Sequence, residues 1–419
     1  MDAGLDVGLR RCYPSGSPYS PWRNPRRSPV RLALAPAAVV FKLWRRGGGS
    51  ETVAARLNAF EEVRHLGETM ICRGDILALN ELFSSAVEPD GWSPLGAAPA
   101  LLRTCPPCCV GWPKRMGSWQ DLYPFEARYI AVPKSETSVD TVGMHYVECG
   151  PRDATQTILC VHGNPTWSFT YRRVLQGFGD RYRVIAVDHV GCGRSEKPQD
   201  YEYTLQRHVG NLSRLIEHLD LRHVTLLAHD WGGAIGVGAA QRHLDRIEKI
   251  LLLNTGVFPP PYIPWRIRAC RIPGLGTFAV RGLNLFARAA LTMAIHRLPR
   301  LDPAVAAGLL APYDNWANRI AIDRFVRDIP TRRTQTTWQL LESIESNCSM
   351  LVHHPVTLLW GMKDWCFRPE CLERLQRLFP QARVRQLEDV GHYVMEEAPD
   401  EVLEELDKML AQPAVARRA

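Results

Sequence analysis

A carboxylate set on a cramped turn is the first feature of this chain that could do chemistry. In Val224-Thr-Leu-Leu-Ala-His-Asp-Trp-Gly-Gly233 an apolar run leads straight into a helical pattern, with Asp230 at the junction. Ala228 stands two residues before it, Gly232 two after it and Gly233 next. Small residues at those places let a tight strand-to-helix turn form, which forces the central side chain outward in a strained conformation. The plain alternative is an Asp that caps an ordinary helix. A carboxylate with a pKa near about 3.9 is already ionised at neutral pH, so it can attack carbon without help from a base. The product would be an enzyme ester. A His is then needed only to activate water against that ester, or to move protons later.

Such a turn needs a parallel sheet behind it. From Phe125 onward, short β-branched runs alternate with helical patterns, the mark of βαβ units. Strands are predicted over 126–132, 144–148, 157–162, 183–188, 224–229, 247–254, 356–361 and 383–387, and helices over 167–177, 204–219, 232–243, 369–378 and 399–411. Between Asn254 and Pro355 the alternation stops. That stretch reads as helical, rich in Arg and aromatics, and punctuated by Pro259-Pro260-Pro261, Pro299 and Pro330. It is expected to lie over the carboxyl edge of the sheet, where α/β folds place their active sites, and to shape the pocket as a lid. The fold class is therefore α/β, a mostly parallel eight-stranded sheet flanked by helices with a helical cap after strand six. The domains are an N-terminal extension (1–115), a core in two parts (116–254 and 355–412), the cap (255–354) and a tail (413–419).

Composition narrows the function classes. With 419 residues, 46% hydrophobic and 23% charged, the chain is neither a disordered polymer nor a small disulfide scaffold. The net charge of +7 resides in residues 1–50, which hold nine basic and two acidic side chains; the remainder is neutral. No nucleic-acid-binding face is expected on the main domain. The basic leader reads as a disordered Arg/Pro-rich extension that could touch anionic lipid; a transit peptide, or a protein that starts at Met116, are the alternatives. The apolar run Leu32–Phe41 contains Pro36 and is far short of the roughly 20 residues that span a bilayer. Twelve cysteines without a repeating spacing read as reduced thiols of a cytoplasmic protein. The C-x-x-C step at Cys105, Cys108 and Cys109 lacks a second pair for zinc. No phosphate-binding Gly-x-x-x-x-Gly-Lys-Ser/Thr run occurs, so neither cofactor nor metal is expected.

The turn around Asp230 resembles the nucleophile elbow of the α/β-hydrolases, with Asp where most members carry Ser. That resemblance implies roles for further residues. His392, in Asp389-Val-Gly-His-Tyr-Val394 after the last strand, falls where the fold carries its catalytic His. Asp364, after strand seven, would orient it, giving the chain order nucleophile, acid, His. Some relatives carry the acid after strand six, where this chain has only Asn254. The segment His162-Gly-Asn-Pro-Thr-Trp167 follows strand three, where half of an oxyanion hole is built. Asn164 and Trp231 each offer a backbone N–H and a neutral side-chain donor, a cradle for an anion in a dry pocket. His162 and His229 read as structural, His353 and His354 have no evident role, and Ser195 lies off the elbow.

His162-Gly-Asn-Pro-Thr-Trp-Ser168 with His229-Asp-Trp-Gly-Gly233 resembles the haloalkane dehalogenases over about residues 120–412. More narrowly, Val187–Ser195, Pro312–Ala321, Asp328-Ile-Pro330 and Trp360–Phe367 look like the β-lactone decarboxylases of bacterial olefin biosynthesis. That resemblance implies conversion of a cis-β-lactone with two alkyl chains to a cis-alkene and carbon dioxide. It also implies a small hydrophobic substrate, with Trp316 and Tyr313 as cap contacts, and work beside other olefin-pathway enzymes. Haloalkane dehalogenation is the alternative. An epoxide hydrolase using Tyr262 and Tyr313, or a hydrolase-shaped binding protein without turnover, are the remaining readings.

Overall fold

The computed structural model describes residues 118–135 and 137–412. The basic leader and Cys105, Cys108 and Cys109 lie outside the described residues. Eight strands form one sheet: β1 (Arg128–Pro133), β2 (Thr141–Cys149), β3 (Thr157–Val161), β4 (Arg183–Val187), β5 (Val224–Asp230), β6 (Ile247–Thr255), β7 (Val356–Gly361) and β8 (Arg383–Leu387). Their order is β1-β2-β4-β3-β5-β6-β7-β8. Only β2 runs antiparallel to its neighbours; the pairings from β4 across to β8 are parallel.

The central strands β3, β5 and β7 are buried along their whole length, because helices cover both faces, and this is why they read as unbroken apolar runs. On one face, Leu205, Val209, Leu212 and Ile216 of α2 (Leu205–His218) recur at helical spacing and join Leu159, Val187 and Ala228 in one cluster. The Thr204 hydroxyl caps this helix by accepting from the Arg207 N–H. The same face carries α3 (Trp231–Ala240) and α9 (Pro369–Leu378). On the other face, α1 (Arg172–Phe178) and α10 (Pro399–Leu410) bury Val174, Val402, Leu406 and Met409 against Ile158, Ala186 and Leu227. Alternate residues of one strand thus feed two separate cores.

Several predicted boundaries shift, two of them for evident reasons. The helix expected from residue 167 starts at Arg172, after a 3-10 turn over Ser168–Tyr171. Trp167 stays extended because its indole donates to the Gly308 carbonyl, while the Ser168 N–H donates to Asp188 Oδ1 at 2.6 Å. Strand β2 begins at Thr141 rather than 144, since the hairpin with β1 pairs down to Pro133 and Thr141.

Between β6 and β7 the chain forms α4 (Trp265–Cys270), α5 (Leu285–Met293), α6 (Pro303–Leu310), α7 (Ile320–Asp328) and α8 (Thr336–Ser346). Helix α6 opens on Asp302, whose carboxylate accepts from the Ala304 and Val305 N–H groups, with Pro303 at the first helical position. Among the described residues no helix is long and apolar enough to cross a membrane. The seven described cysteines are free thiols.

Helix α3 lies so close to β3 that a Cβ on Gly232 would overlap the Val161 carbonyl. Gly232→Ala is therefore expected to destabilise by roughly 1–3 kcal/mol, lowering Tm by on the order of 5 °C. Scanning calorimetry measures this directly, and an unchanged Tm would contradict the close approach.

Candidate active site

Strand β5 ends on Asp230 and α3 begins on the next residue, so the turn has no spare length. Asp230 is held at φ 53°, ψ −128°, a region that side chains other than glycine's seldom enter. Its carboxylate makes no bond that caps α3, which disposes of the plain capping reading. Instead the Asn164 N–H donates to Oδ1 at 2.7 Å, and the Trp231 N–H also favours the ionised form. A Cβ on Gly163 would overlap Oδ1, so the loop after β3 must carry glycine there. The Thr255 hydroxyl, at the end of β6, donates to the Asp230 carbonyl and steadies the strained residue.

Oδ2 of Asp230 lies 3.8 Å from Nε2 of His392. The other ring nitrogen, Nδ1, is 2.7 Å from Oδ2 of Asp364. An ionised Asp364 accepts the Nδ1 hydrogen, leaving Nε2 for chemistry on the Asp230 side. The His392 loop is tied down from several directions. Its N–H donates to the Ala294 carbonyl at 2.7 Å, and its carbonyl lies 2.9 Å from His229 Nε2. The preceding Gly391 N–H donates to buried Glu397 at 2.9 Å. The Phe367 ring stacks on the imidazole with centroids 5.8 Å apart.

Burial disfavours every charge here, and the partners decide which charges survive. Burial pushes Asp230 above the ordinary carboxylate value, against the pull of His392 and the two backbone N–H groups. Burial would raise Asp364 too, but the His392 imidazole and the N–H donors from Cys366 and Phe367 hold it below that value. For His392 burial would lower the pKa; the Asp364 and Asp230 carboxylates outweigh it and lift the group to about 8. His229 is pushed by burial and by the neighbouring His392 to about 3, against a weaker pull from Asp364, and stays neutral.

Asp230 and His392 open onto a cavity of about 1070 Å³, part of it open to solvent, while Asp364 stays buried behind the imidazole. Asn164, Asp230, Trp231 and His392 form its polar end; Phe258, Ile267, Phe286, Ile329 and Leu341 are among its apolar walls. Asn164 commits one amide hydrogen to the Ile322 carbonyl at 3.4 Å, which leaves its second for the cavity. Trp231 packs by its ring against Phe325, with centroids 5.5 Å apart.

The two expected cap contacts are corrected. Tyr313 is fully buried, with its hydroxyl donating to the Thr166 carbonyl at 3.2 Å. Trp316 is 46% exposed beneath the Arg281 guanidinium. Neither lines the cavity: the Tyr313 hydroxyl ties the turn between α6 and α7 to the loop after β3, and Arg319 fixes that turn by donating to the Tyr313, Asp314 and Arg281 carbonyls within the insertion. Tyr262 does line the cavity, but its hydroxyl donates to the Cys366 carbonyl at 2.7 Å. Both tyrosines available to an epoxide hydrolase are thus bound to backbone.

His162 also serves the main chain, with Nδ1 2.7 Å from the Gly163 carbonyl and Nε2 accepting from the His189 N–H. The Ser195 hydroxyl donates to the Asp188 carbonyl. His353 and His354 stand before β7 and do not line the cavity. Sequence reasoning missed Asn254. Its Nδ2 donates to Asp364 Oδ2 at 3.0 Å, and its Oδ1 accepts from the Gly361 N–H at 2.7 Å. The available signal was its place at the end of β6, beside the strand that precedes Asp364.

The elbow, the carboxylate–imidazole–carboxylate line and the sheet order together define an α/β-hydrolase. Residues 156–399 match the family described as alpha/beta hydrolase fold, and the chain belongs to it. Within that family, the chain is 38% identical over 280 residues to a cis-3-alkyl-4-alkyloxetan-2-one decarboxylase of Xanthomonas campestris pv. campestris, covering 64% of this chain and 92% of that protein. It is 31% identical over 284 residues to haloalkane dehalogenase 2 of Mycobacterium tuberculosis, covering 67% and 93% respectively. A solved variant of the haloalkane dehalogenase DatA from Agrobacterium tumefaciens superposes with a TM-score of 0.60 at 27% identity, covering 68% of this chain and 97% of that one.

Removing the charge that lifts His392 tests this electrostatic balance. In Asp364→Asn the His392 titration midpoint, followed by NMR of the imidazole, is expected to fall from about 8 by about one unit or more. The sign for stability follows from a folded value above the ordinary 6.5. The stabilisation from the charged ring is complete below 6.5 and is lost as pH rises through about 8. An unmoved midpoint would remove Asp364 from the balance.

Proposed function

We propose that this enzyme decarboxylates cis-3,4-dialkyl oxetan-2-ones, the β-lactones, to cis-alkenes and carbon dioxide. The observation that carries the proposal is the buried Asp230 carboxylate, aimed from the elbow at an apolar cavity beside His392 and Asp364. The 38% identity to a cis-3-alkyl-4-alkyloxetan-2-one decarboxylase over 92% of its length supports this substrate class.

In this reading Asp230 is the nucleophile, His392 the base and Asp364 the acid that orients it. Asp230 Oδ2 attacks the alkyl-bearing ring carbon that holds the ring oxygen. The strained C–O bond breaks, an ester to Asp230 forms, and a carboxylate appears on the neighbouring carbon. The Asn164 amide and the Trp231 indole N–H cradle that anion. The carboxylate then departs as carbon dioxide; its C–C electron pair becomes the double bond and expels Asp230 as a carboxylate. Inversion in the first step and anti expulsion in the second keep the two alkyl groups cis. Atoms balance without water, metal or cofactor. The charged form of His392 offsets the second carboxylate during the exchange. Its neutral form can activate water against an ester that persists. The helical insertion serves as the cover that excludes bulk water, and the substrate is a small hydrophobic molecule. The reading places the enzyme in the cytoplasm, beside the enzymes that make its lactone, with no nucleic acid as partner.

Purified protein supplied with a cis-dialkyl β-lactone is expected to release the cis-alkene, followed by gas chromatography. Asp230→Asn should lower that rate by ~10³-fold or more, and His392→Ala should lower it markedly. Bromide release from bromoalkanes, with no alkene from the lactone, would replace this reading with haloalkane dehalogenation.

A further inference from the structure

The helical insertion is apolar on both of its sides. Residues 256–301 contain seven arginines and no aspartate or glutamate. Ile263, Ile267 and Phe286 line the cavity, while Trp265, Ile272, Leu275, Leu283, Leu285 and Met293 project outward, with Trp265 73% and Leu275 64% exposed. More than half of the exposed large apolar side chains among the described residues fall within 265–293. A soluble helix normally turns a polar face to water, and exposed apolar clusters of this kind mark interaction surfaces.

The charges say what would cover it. Arg266, Arg268, Arg288 and Arg300 are exposed, and none has a carboxylate partner among the described residues. Arg266 is sandwiched between the rings of Trp265 and Trp365. Trp365 lines the cavity and is anchored to this segment through the Met293 carbonyl. Aromatic and aliphatic side chains interspersed with unpaired arginines are the composition of a surface that sinks into an anionic lipid interface. A second copy of the same face, or the basic leader of residues 1–50, would meet it with like charge.

We propose that the outer face of residues 265–300 docks peripherally on anionic lipid bilayers, bringing the wall of the cavity against the membrane. The docking rests on this surface and not on the substrate assignment. A membrane-facing wall also gives a lipophilic ligand a short route between bilayer and cavity.

The test is co-sedimentation of the full chain with vesicles of phosphatidylcholine containing phosphatidylglycerol, against vesicles of phosphatidylcholine alone. Binding is expected to the anionic vesicles and to weaken with salt. Trp265→Ser with Leu275→Ser is expected to reduce the bound fraction at least ~5-fold. Arg266→Glu with Arg268→Glu should abolish the preference for anionic lipid. None of these four side chains lines the cavity, so turnover of a short, water-soluble substrate and Tm serve as controls for folding. Wild-type binding by both double variants would assign any membrane affinity to the leader and overturn the proposal. So would the absence of binding by the native chain, which would point to a protein partner instead.

Discussion

Two carboxylates and one imidazole share a buried space, and most of the architecture exists to keep them there. An ion taken from water into a protein interior loses several kcal/mol unless partners replace its solvation. Asp364 has that replacement in the imidazole and in N–H and amide donors. Asp230 has less, two backbone N–H groups and an imidazole that is not in hydrogen-bond contact, and its pKa is raised accordingly. The imidazole between them is the only group whose charged form both neighbours favour. A single positive charge therefore serves two anions. That arrangement tolerates one more anion in the cavity only if further donors receive it.

The sheet supplies this geometry almost without loops. Asp230 ends β5, Asn254 lies at the end of β6, Asp364 follows β7 and His392 follows β8. These four strands are consecutive neighbours in the sheet and all parallel, so their carboxyl ends emerge side by side at one edge. Asn254 bridges the row: its φ of 23° turns the side chain back to bind both Gly361 and Asp364. The strain at Asp230 is confined by contacts to the strands on either side of β5. The main chain of β3 meets Gly232, and Thr255 of β6 meets both Gly233 and the Asp230 carbonyl.

These relations explain what the amino-acid sequence disclosed and what it withheld. The central strands were legible because buried parallel strands are mainly apolar runs, the outer ones by their β-branched residues, and the elbow because its small residues answer to steric contacts that only Ala or Gly can satisfy. Asp230, Asp364 and His392 were identifiable by residue type together with their order along the recognised fold. Asn254 was not, since an amide has no acid–base signature; its value comes from adjacency across the sheet, which sequence distance conceals. Tyr313 and Trp316 misled for the reverse reason. An aromatic residue in a cap segment has the same composition whether it faces the cavity, the protein body or solvent, and long-range contacts decide between them, Thr166 for Tyr313 and Arg281 for Trp316.

An Asp at the elbow changes what the oxyanion hole can do. With a serine nucleophile the paired backbone N–H groups would be vacant until a substrate oxygen filled them. Here the elbow residue carries its own second oxygen, and the Asn164 N–H already binds Oδ1 at 2.7 Å. The backbone hole is committed to the enzyme's carboxylate before any substrate arrives, so a substrate-derived anion must find donors elsewhere. The side chains of the same two residues, the Asn164 amide and the Trp231 indole, are the neutral donors at the polar end of the cavity. On the proposed reading one pair of residues thus holds two anions, backbone to Asp230 and side chains to the departing carboxylate. Because these donors are uncharged, they can accept a carboxylate without binding it so tightly that carbon dioxide cannot leave.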